Sequence, residues 1–284
     1  MNKSSIKWIH VELSSKCNAW CPACPRNKSG FGLTDSLVEE DLPTERLEQV
    51  LKDLPELDTV MLCGNYGDPI IAKNILEAIA VSKQYAKKIQ IHTNGSLRSA
   101  EWWINLAHEL KDIEHDVWFG IDGLKGVHEI YRQGTDFDKV IENASAFITA
   151  GGTASWQFIP HAHNEYQTKD CIKLSQKLGF KKFRLAKLFR GSMIARHYRT
   201  GEEFTLSAPG EVIQNVIRMP NNYKQVKETD CMHLLQPSIY MAANGQLSTC
   251  CYFNQEQTFD SVNELLYNAL DLTHKTCLKS CGSI

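Results

Sequence analysis

Three cysteines at spacings of four and three residues, Cys17, Cys21 and Cys24, carry the strongest chemical signal in this chain. Three thiolates spaced in this way can hold three corners of a cubic iron–sulfur cluster and leave the fourth iron without a nearby protein ligand. A cluster used only to carry electrons is normally closed by cysteine at every iron, so an open corner is a place where a small molecule can be ligated and reduced. Two other chemistries use the same residues. Zinc takes cysteine pairs of this spacing, and a Cys-x-x-Cys pair can cycle as a dithiol. A zinc knuckle needs a fourth ligand close by, yet the next cysteine downstream is Cys63 and the nearest upstream histidine, His10, lies within a strand-like run.

Such a loop needs a rigid element before it, and Trp8-Ile9-His10-Val11-Glu12-Leu13 supplies one. The first two thirds of the chain alternate short β-rich runs with amphipathic patterns of helical period. Strands are expected at 7–13, 58–63, 88–92, 116–121, 154–160 and 181–187, and helices at 44–54, 72–86, 99–111, 135–150 and 166–178. Phe137, Val140, Ile141, Ala144, Phe147 and Ile148 share one helical face behind a capping-box start at Thr135-x-x-Asp138, and Gly151-Gly152 closes that helix. Six βα repeats predict a parallel sheet, open or curled into a partial barrel, with its chemistry at the C-terminal strand ends. The polar turns fall there: the cysteine loop, Gly64–Pro69, Thr93–Ser96, Asp122-Gly123 and His161–Asn164 follow five successive strands.

At 284 residues with 43% apolar and 23% charged side chains, the chain can bury a substantial core. A net charge of −2 argues against a surface that coats duplex nucleic acid. No apolar run reaches the ~20 residues of a membrane helix, and Met1–Ser5 leads into a strand without a signal-peptide core. A cytoplasmic protein is the expectation. Ten cysteines without a secretory signal are not read as a disulfide framework. Three lie in 17–24 and five in 231–281, which predicts two metal centres, whereas the isolated Cys63 and Cys171 read as small buried hydrophobes.

Beyond residue 190 the rhythm stops. Arg190–Asn222 reads as a connector with one weak helix near 210–219. From Cys231 the pattern is Cys231-x13-Gly245-x4-Cys250, with a hairpin expected at 238–242 and 246–250 around Asn244-Gly245, a capped helix over 262–270 and Cys277-x3-Cys281 in the tail.

Taken in order, these motifs resemble the radical SAM superfamily, in particular members with a SPASM or shorter twitch extension. The resemblance rests on Cys17, Cys21 and Cys24 after the first strand, on Tyr66-Gly67-Asp68-Pro69 after the second, and on Thr93-Asn94-Gly95 and Ile121-Asp122-Gly123. His128-x-x-Tyr131-Arg132 and the cysteine pattern of the tail complete it. It implies a [4Fe-4S] cluster on Cys17, Cys21 and Cys24, with S-adenosylmethionine (SAM) on the open iron and reductive cleavage to methionine and a 5′-deoxyadenosyl radical. It further implies contacts to SAM from Gly64, Tyr66, Gly67, Asp68, Thr93, Asn94 and Asp122, and an external reductant such as flavodoxin or ferredoxin. A second, auxiliary [4Fe-4S] cluster would use Cys231, Cys250, Cys277 and Cys281, with Cys251 a rival for Cys250; tetrahedral zinc fits the same count. Two positions depart from the family pattern: Ala23 stands where an aromatic residue is common, and Asp68 where glutamate is usual.

Each residue also has a structural reading. Asp68 can cap the helix after it, Asp122-Gly123 is good turn chemistry, and His161 and His163 can be solvated. Arg184, Lys187 and Arg190 can bind a carboxylate or phosphate or form a solvated face, and Trp102-Trp103 reads as core. The expected architecture is a partial (β/α)6 barrel over 1–190, a connector over 191–224 and a twitch-type extension over 225–284. The expected function is hydrogen abstraction from a substrate C–H bond, with oxidation of a small alcohol or sugar as one outcome and modification of a ribosomal peptide as its rival. A non-catalytic zinc protein is the reading from another class.

Overall fold

A computed structural model describes residues 2–186, 192–210, 213, 237–251 and 257–268. Six parallel strands alternate with helices: β1 (Trp8–Val11), α1 (Thr44–Lys52), β2 (Thr59–Leu62), α2 (Ile75–Tyr85), β3 (Lys88–Thr93), α3 (Ala100–Leu110) and β4 (Glu114–Gly120). The short α4 (His128–Tyr131), α5 (Phe137–Thr149), β5 (Ala154–Phe158), α6 (Thr168–Leu178) and β6 (Lys182–Leu185) follow. Every strand and helix expected before residue 190 is present, most of them trimmed at the ends.

Alternate strand residues decide which face the helices cover. Ile9, Val11, Val60, Leu62, Ile89 and Ile91 are fully buried in one core with Leu47, Leu51, Ile79, Trp103, Leu106 and Phe147 from the helices. Consecutive helices touch, α1 against α2, α2 against α3 and α3 against α5, so the helical layer runs along one side of the sheet. Registered neighbours on the opposite face are mostly polar: His10 pairs with Met61, Met61 with Gln90 and Gln90 with Asp116, and Gly120 pairs with Gln157 and Gln157 with Arg184. A parallel sheet buried in apolar layers on both faces would read as continuous hydrophobic runs. Alternation here means that the second face lines a polar interior, as in a partial barrel left open between its edge strands.

The later segments differ from a plain connector and appendage. β7 (Met193–Arg196) and β8 (Glu203–Leu206) form an antiparallel pair inside the stretch read as connector. Four-residue strands joined by a six-residue loop are too short for periodicity to reveal. The weak helix expected near 210–219 falls almost wholly outside the described residues. β9 (Ser238–Met241) joins the main sheet parallel to β1, and β10 (Leu247–Ser248) pairs back on it, giving the order β10-β9-β1-β2-β3-β4-β5-β6. The short α7 (Val262–Tyr267) starts at Ser261, whose side chain accepts from Glu264 N. Cys231, Cys277 and Cys281 lie outside the described residues, as do Lys187 and Arg190. Among the described residues, no helix is long and apolar enough to cross a membrane.

The start of α5 is shifted by one residue from the expected capping box. Asp136 accepts from Lys139 N, while the hydroxyl of Thr135 donates to Arg132 O at 2.6 Å and faces His128 Nε2 at 3.0 Å. A hydroxyl held by those two groups does not cap the helix.

Arg46 on α1 fastens the C-terminal hairpin: Nε and Nη2 donate to Gly245 O at 3.1 and 2.9 Å, and Nη2 to Asp260 O at 2.5 Å. Arg46→Ala removes a charged donor from both carbonyls, which should lower stability by about 2 kcal/mol. Chemical denaturation checks the loss, and limited proteolysis should show faster cleavage near Gly245 and Asp260.

Candidate functional site

The three cysteines sit on a loop that the rest of the fold ties down. Asn27 Nδ2 donates to Cys21 O at 3.0 Å, Trp20 N to Gln133 O at 2.7 Å, and Asn18 Nδ2 to Ser96 Oγ at 2.8 Å. The β7–β8 pair covers its other side, where Ala195 and Leu206 pack with Ala19, Cys21, Ala23 and Tyr131, and Tyr198 stacks on Trp20 at 5.5 Å.

Against this loop lies the turn after β2. Gly67 approaches it so closely that a Cβ there would stand 1.8 Å from Ser14 O, and Asp68 N donates to Lys16 O at 2.8 Å. A Cβ on Gly64 would meet Gly67 O at 2.2 Å, so the turn admits no side chain at either place. Glu12 fixes the same turn: Oε1 accepts from Tyr66 N at 2.6 Å and Gly67 N at 3.0 Å, and Oε2 accepts from the Tyr240 hydroxyl at 2.5 Å.

Asp68 caps the short 3-10 turn Pro69–Ile71 by accepting from Ile70 N at 3.0 Å. It also accepts from Thr93 Oγ1 at 2.9 and 3.0 Å and from Asn94 N at 2.7 Å, which joins the ends of β2 and β3. Burial raises its pKa, and these donors oppose the rise. Asn94 in turn donates from Nδ2 to Asn18 Oδ1 at 2.9 Å and lies 3.8 Å from Cys17 Sγ.

These pieces surround a cavity of about 280 Å³ at the C-terminal strand ends. Cys17, Cys21, Cys24, Gly64, Tyr66, Gly67, Asp68, Thr93 and Asn94 all line it. Asp122, named with them from the sequence, is fully buried outside the lining. Its carboxylate accepts from Arg132 Nε at 2.5 Å and Ile159 N at 2.6 Å, and Arg132 does reach the cavity. His161 and His163 do not line it either; the His161 ring packs on Tyr131 with centroids 4.6 Å apart. Cys171 is buried in the core as expected, whereas Cys63 opens onto the cavity. His92, Trp118 and Gln157 also line it, and sequence reasoning passed over all three. Their signal was present, since each is a non-aliphatic residue at an inward position of an alternating strand.

Burial pushes the Cys21 thiol up to about 12, against the pull of Arg132, and pushes Cys17 up as well, with Asp68 and the other two cysteines adding to the effect. Thiols raised in this way, as at Cys17 and Cys21, become thiolates only beside a strong positive charge, which a metal centre provides. Among the described residues, no three His, Cys, Asp or Glu side chains stand close enough to share one metal ion. Cys17, Cys21 and Cys24 offer three sulfur donors to one cavity, a donor set that suits an iron–sulfur cluster or zinc.

No family model matches the chain. Over 149 residues, half of its length, it is 24% identical to 7,8-dihydro-6-hydroxymethylpterin dimethyltransferase of Methanocaldococcus jannaschii, and the match spans only 28% of that protein. Solved structures resemble it over nearly the whole chain. Native anSMEcpe with bound AdoMet aligns with a TM-score of 0.65 at 14% identity, covering 98% of this chain and 84% of that one. SuiB of Streptococcus suis bound to S-adenosylmethionine aligns with a TM-score of 0.64 at 12% identity, covering 98% and 71%. These neighbours are radical SAM enzymes, and this chain has their fold, a mostly parallel α/β sheet with the cysteine loop after its first strand.

Two predictions concern how the site is held. Gly67→Ala places a methyl group against the Ser14 carbonyl and should part the turn from the cysteine loop. Chemical denaturation should then show a loss of about 1–3 kcal/mol, the usual cost of forcing an extra methyl group into a packed site. His128 supports the Asp122 turn: its Nδ1 accepts from Asp122 N at 3.1 Å, which leaves Nε2–H to face Thr135 Oγ1. Burial lowers its pKa from 6.5 to about 3. Below pH 6.5 the unfolded chain takes up a proton that the folded chain refuses, so stability falls as pH falls. Between pH 6.5 and 5 this group alone accounts for about 2 kcal/mol. Denaturant titrations of the wild type and His128→Gln should differ by that amount in their pH dependence.

Proposed function

We propose that this chain is a radical SAM enzyme that abstracts hydrogen from a substrate C–H bond. The observation that carries the reading is the convergence of the three cysteine thiols, the Gly64–Asp68 turn and Asn94 on one cavity at the strand ends. A [4Fe-4S] cluster and SAM bound there would supply one-electron reductive cleavage of the sulfonium, the chemistry that makes a 5′-deoxyadenosyl radical. Cys17, Cys21 and Cys24 hold the cluster. Gly64, Tyr66 and Gly67 offer backbone groups to the methionine end of SAM, with Thr93 and Asn94 beside them. Asp68 already accepts from three donor groups, so most of its work is to position Thr93 and Asn94. Asp122 acts through Arg132, whose guanidinium it holds at the cavity wall. The β7–β8 pair keeps water from the cysteine loop on its outer side.

Cys250 and Cys251 end the added hairpin. Asn65 Nδ2 donates to Cys251 O at 2.8 Å, which ties that segment to the turn after β2. Cys250, with Cys251 as its rival, joins Cys231, Cys277 and Cys281 as the proposed ligands of the auxiliary cluster, and a twitch-type extension over 225–284 is the corresponding assignment. An external one-electron reductant and a cytoplasmic setting belong to the same proposal. Oxidation of a small alcohol or sugar is one net reaction. Peptide modification is the second reading, favoured by the resemblance to SuiB bound to the precursor peptide SuiA and to anSMEcpe with the Cp18Cys peptide.

The test is anaerobic reconstitution followed by SAM and dithionite. Wild-type protein should form 5′-deoxyadenosine. A triple Cys17→Ala, Cys21→Ala, Cys24→Ala variant should form none and bind about four fewer irons per chain, one cubane's worth. Activity that survives the triple replacement would refute the assignment.

A further inference from the structure

The polar interior of the sheet carries a group of side chains that the cofactor assignment does not use. Trp118 on β4 is 6% exposed and lines the cavity, yet its Nε1 has no hydrogen-bond partner. The His92 ring on β3 stacks against it, with centroids 5.9 Å apart and planes within 11°, and His92 Nε2 is likewise buried and unpartnered. The guanidinium of Arg184 on β6 stands 4.3 Å over the Trp118 ring and donates to Gln157 Oε1. All four residues lie on the same face of neighbouring strands; His92, Trp118 and Gln157 share the cavity with the cysteines, whereas Arg184 is exposed and reaches the group through Trp118 and Gln157.

Donors and acceptors are unequally spent here. An indole N–H can only donate, so the partner that Trp118 lacks is an acceptor. Gln157 has given its oxygen to Arg184, which leaves its amide N–H2 groups to donate. Arg184 has five donors and no acceptor. The charge balance points the same way. Asp116 is the acidic residue of this wall; it accepts from Ser155 Oγ at 2.7 Å and lies 3.8 Å from Lys182 Nζ. Arg184 has no carboxylate within 4.0 Å among the described residues, and it stands beside two buried ring nitrogens without partners. A stacked, planar guanidinium that has spent one Nη2 donor on Gln157 keeps others with which to meet an anionic oxygen.

We propose that Arg184, Trp118, Gln157 and His92 form a substrate subsite for a carboxylate or phosphate group, so that the molecule whose hydrogen is taken is an anionic one. This rests on the radical SAM reading for the identity of the cavity, but the subsite itself can be tested without turnover. ¹⁵N-labelled, reconstituted, SAM-saturated protein is titrated with sodium phosphate and, separately, sodium acetate at constant ionic strength. The Trp118 indole signal, assigned with Trp118→Phe, is followed by NMR.

Saturable movement of that signal at millimolar anion is expected. Arg184→Gln should weaken binding about tenfold or more, while Arg184→Lys, which keeps the charge, should weaken it less. Response to phosphate alone or to acetate alone assigns the group. Absence of a saturable shift in wild type, or equal affinity in Arg184→Gln, overturns the subsite. So does a loss of SAM affinity in Arg184→Gln, which would place the arginine on the cofactor. Substrate-free 5′-deoxyadenosine formation by the same wild-type preparation separates the two claims. Its absence alongside intact anion binding would sink the radical reading and leave the anion site standing.

Discussion

The structure depends on two buried carboxylates that knit three strand ends into one surface. Glu12 and Asp68 are 1% and 4% exposed, and a buried carboxylate is costly unless donors surround it. Each is surrounded. Glu12 gathers two backbone N–H groups of the turn after β2 and the hydroxyl of Tyr240. Asp68 gathers Thr93, Asn94 and Ile70. The turn between them is drawn so tightly against the cysteine loop that only glycine fits at position 67. Burial raises the pKa of both acids, and in both cases the hydrogen bonds work against that rise.

This arrangement explains how a C-terminal segment far away in sequence belongs to the same site. Tyr240 sits on β9, which pairs with β1 as a parallel neighbour and not as part of a detached appendage. The hydrogen bond from Tyr240 to Glu12 therefore runs from the added hairpin to the turn that lines the cavity. Arg46 secures the far end of the hairpin, and Asn65 reaches the backbone of Cys251 from the cavity side. Whatever the tail binds, its first strand is already part of the sheet that carries the cysteine loop.

Much of the candidate site was legible because its residues are local. The spacing of Cys17, Cys21 and Cys24, the turn at Gly64–Asp68 and the Thr93–Asn94 strand end each occupy a few adjacent residues, and the βα rhythm sets all of them at one end of a sheet. What could not be read depends on partners distant in sequence. Asp122 looks like a ligand from its place after β4, but it is buried away from the cavity, with one carboxylate oxygen on Arg132 and the other on Ile159 N. Cys63 reads as a small hydrophobe, yet its strand points it inward. The β7–β8 pair has too few residues for any period to show, although it covers the cysteine loop.

By itself the sequence determined the order of elements, the helix-facing side of each strand and the chemistry of the cysteine loop. These follow from short-range rules: alternation by two, a helical repeat of 3.6, and turn residues at fixed offsets. Only the tertiary structure decided which polar side chains share the interior, because that depends on strand register. Pairing Gly120 with Gln157 and Gln157 with Arg184 brings an arginine to a tryptophan 66 residues away in the chain. The three cysteines began as one loop able to hold a metal centre. The fold gives that loop a polar wall in the same cavity, with ring nitrogens of Trp118 and His92 left unpartnered.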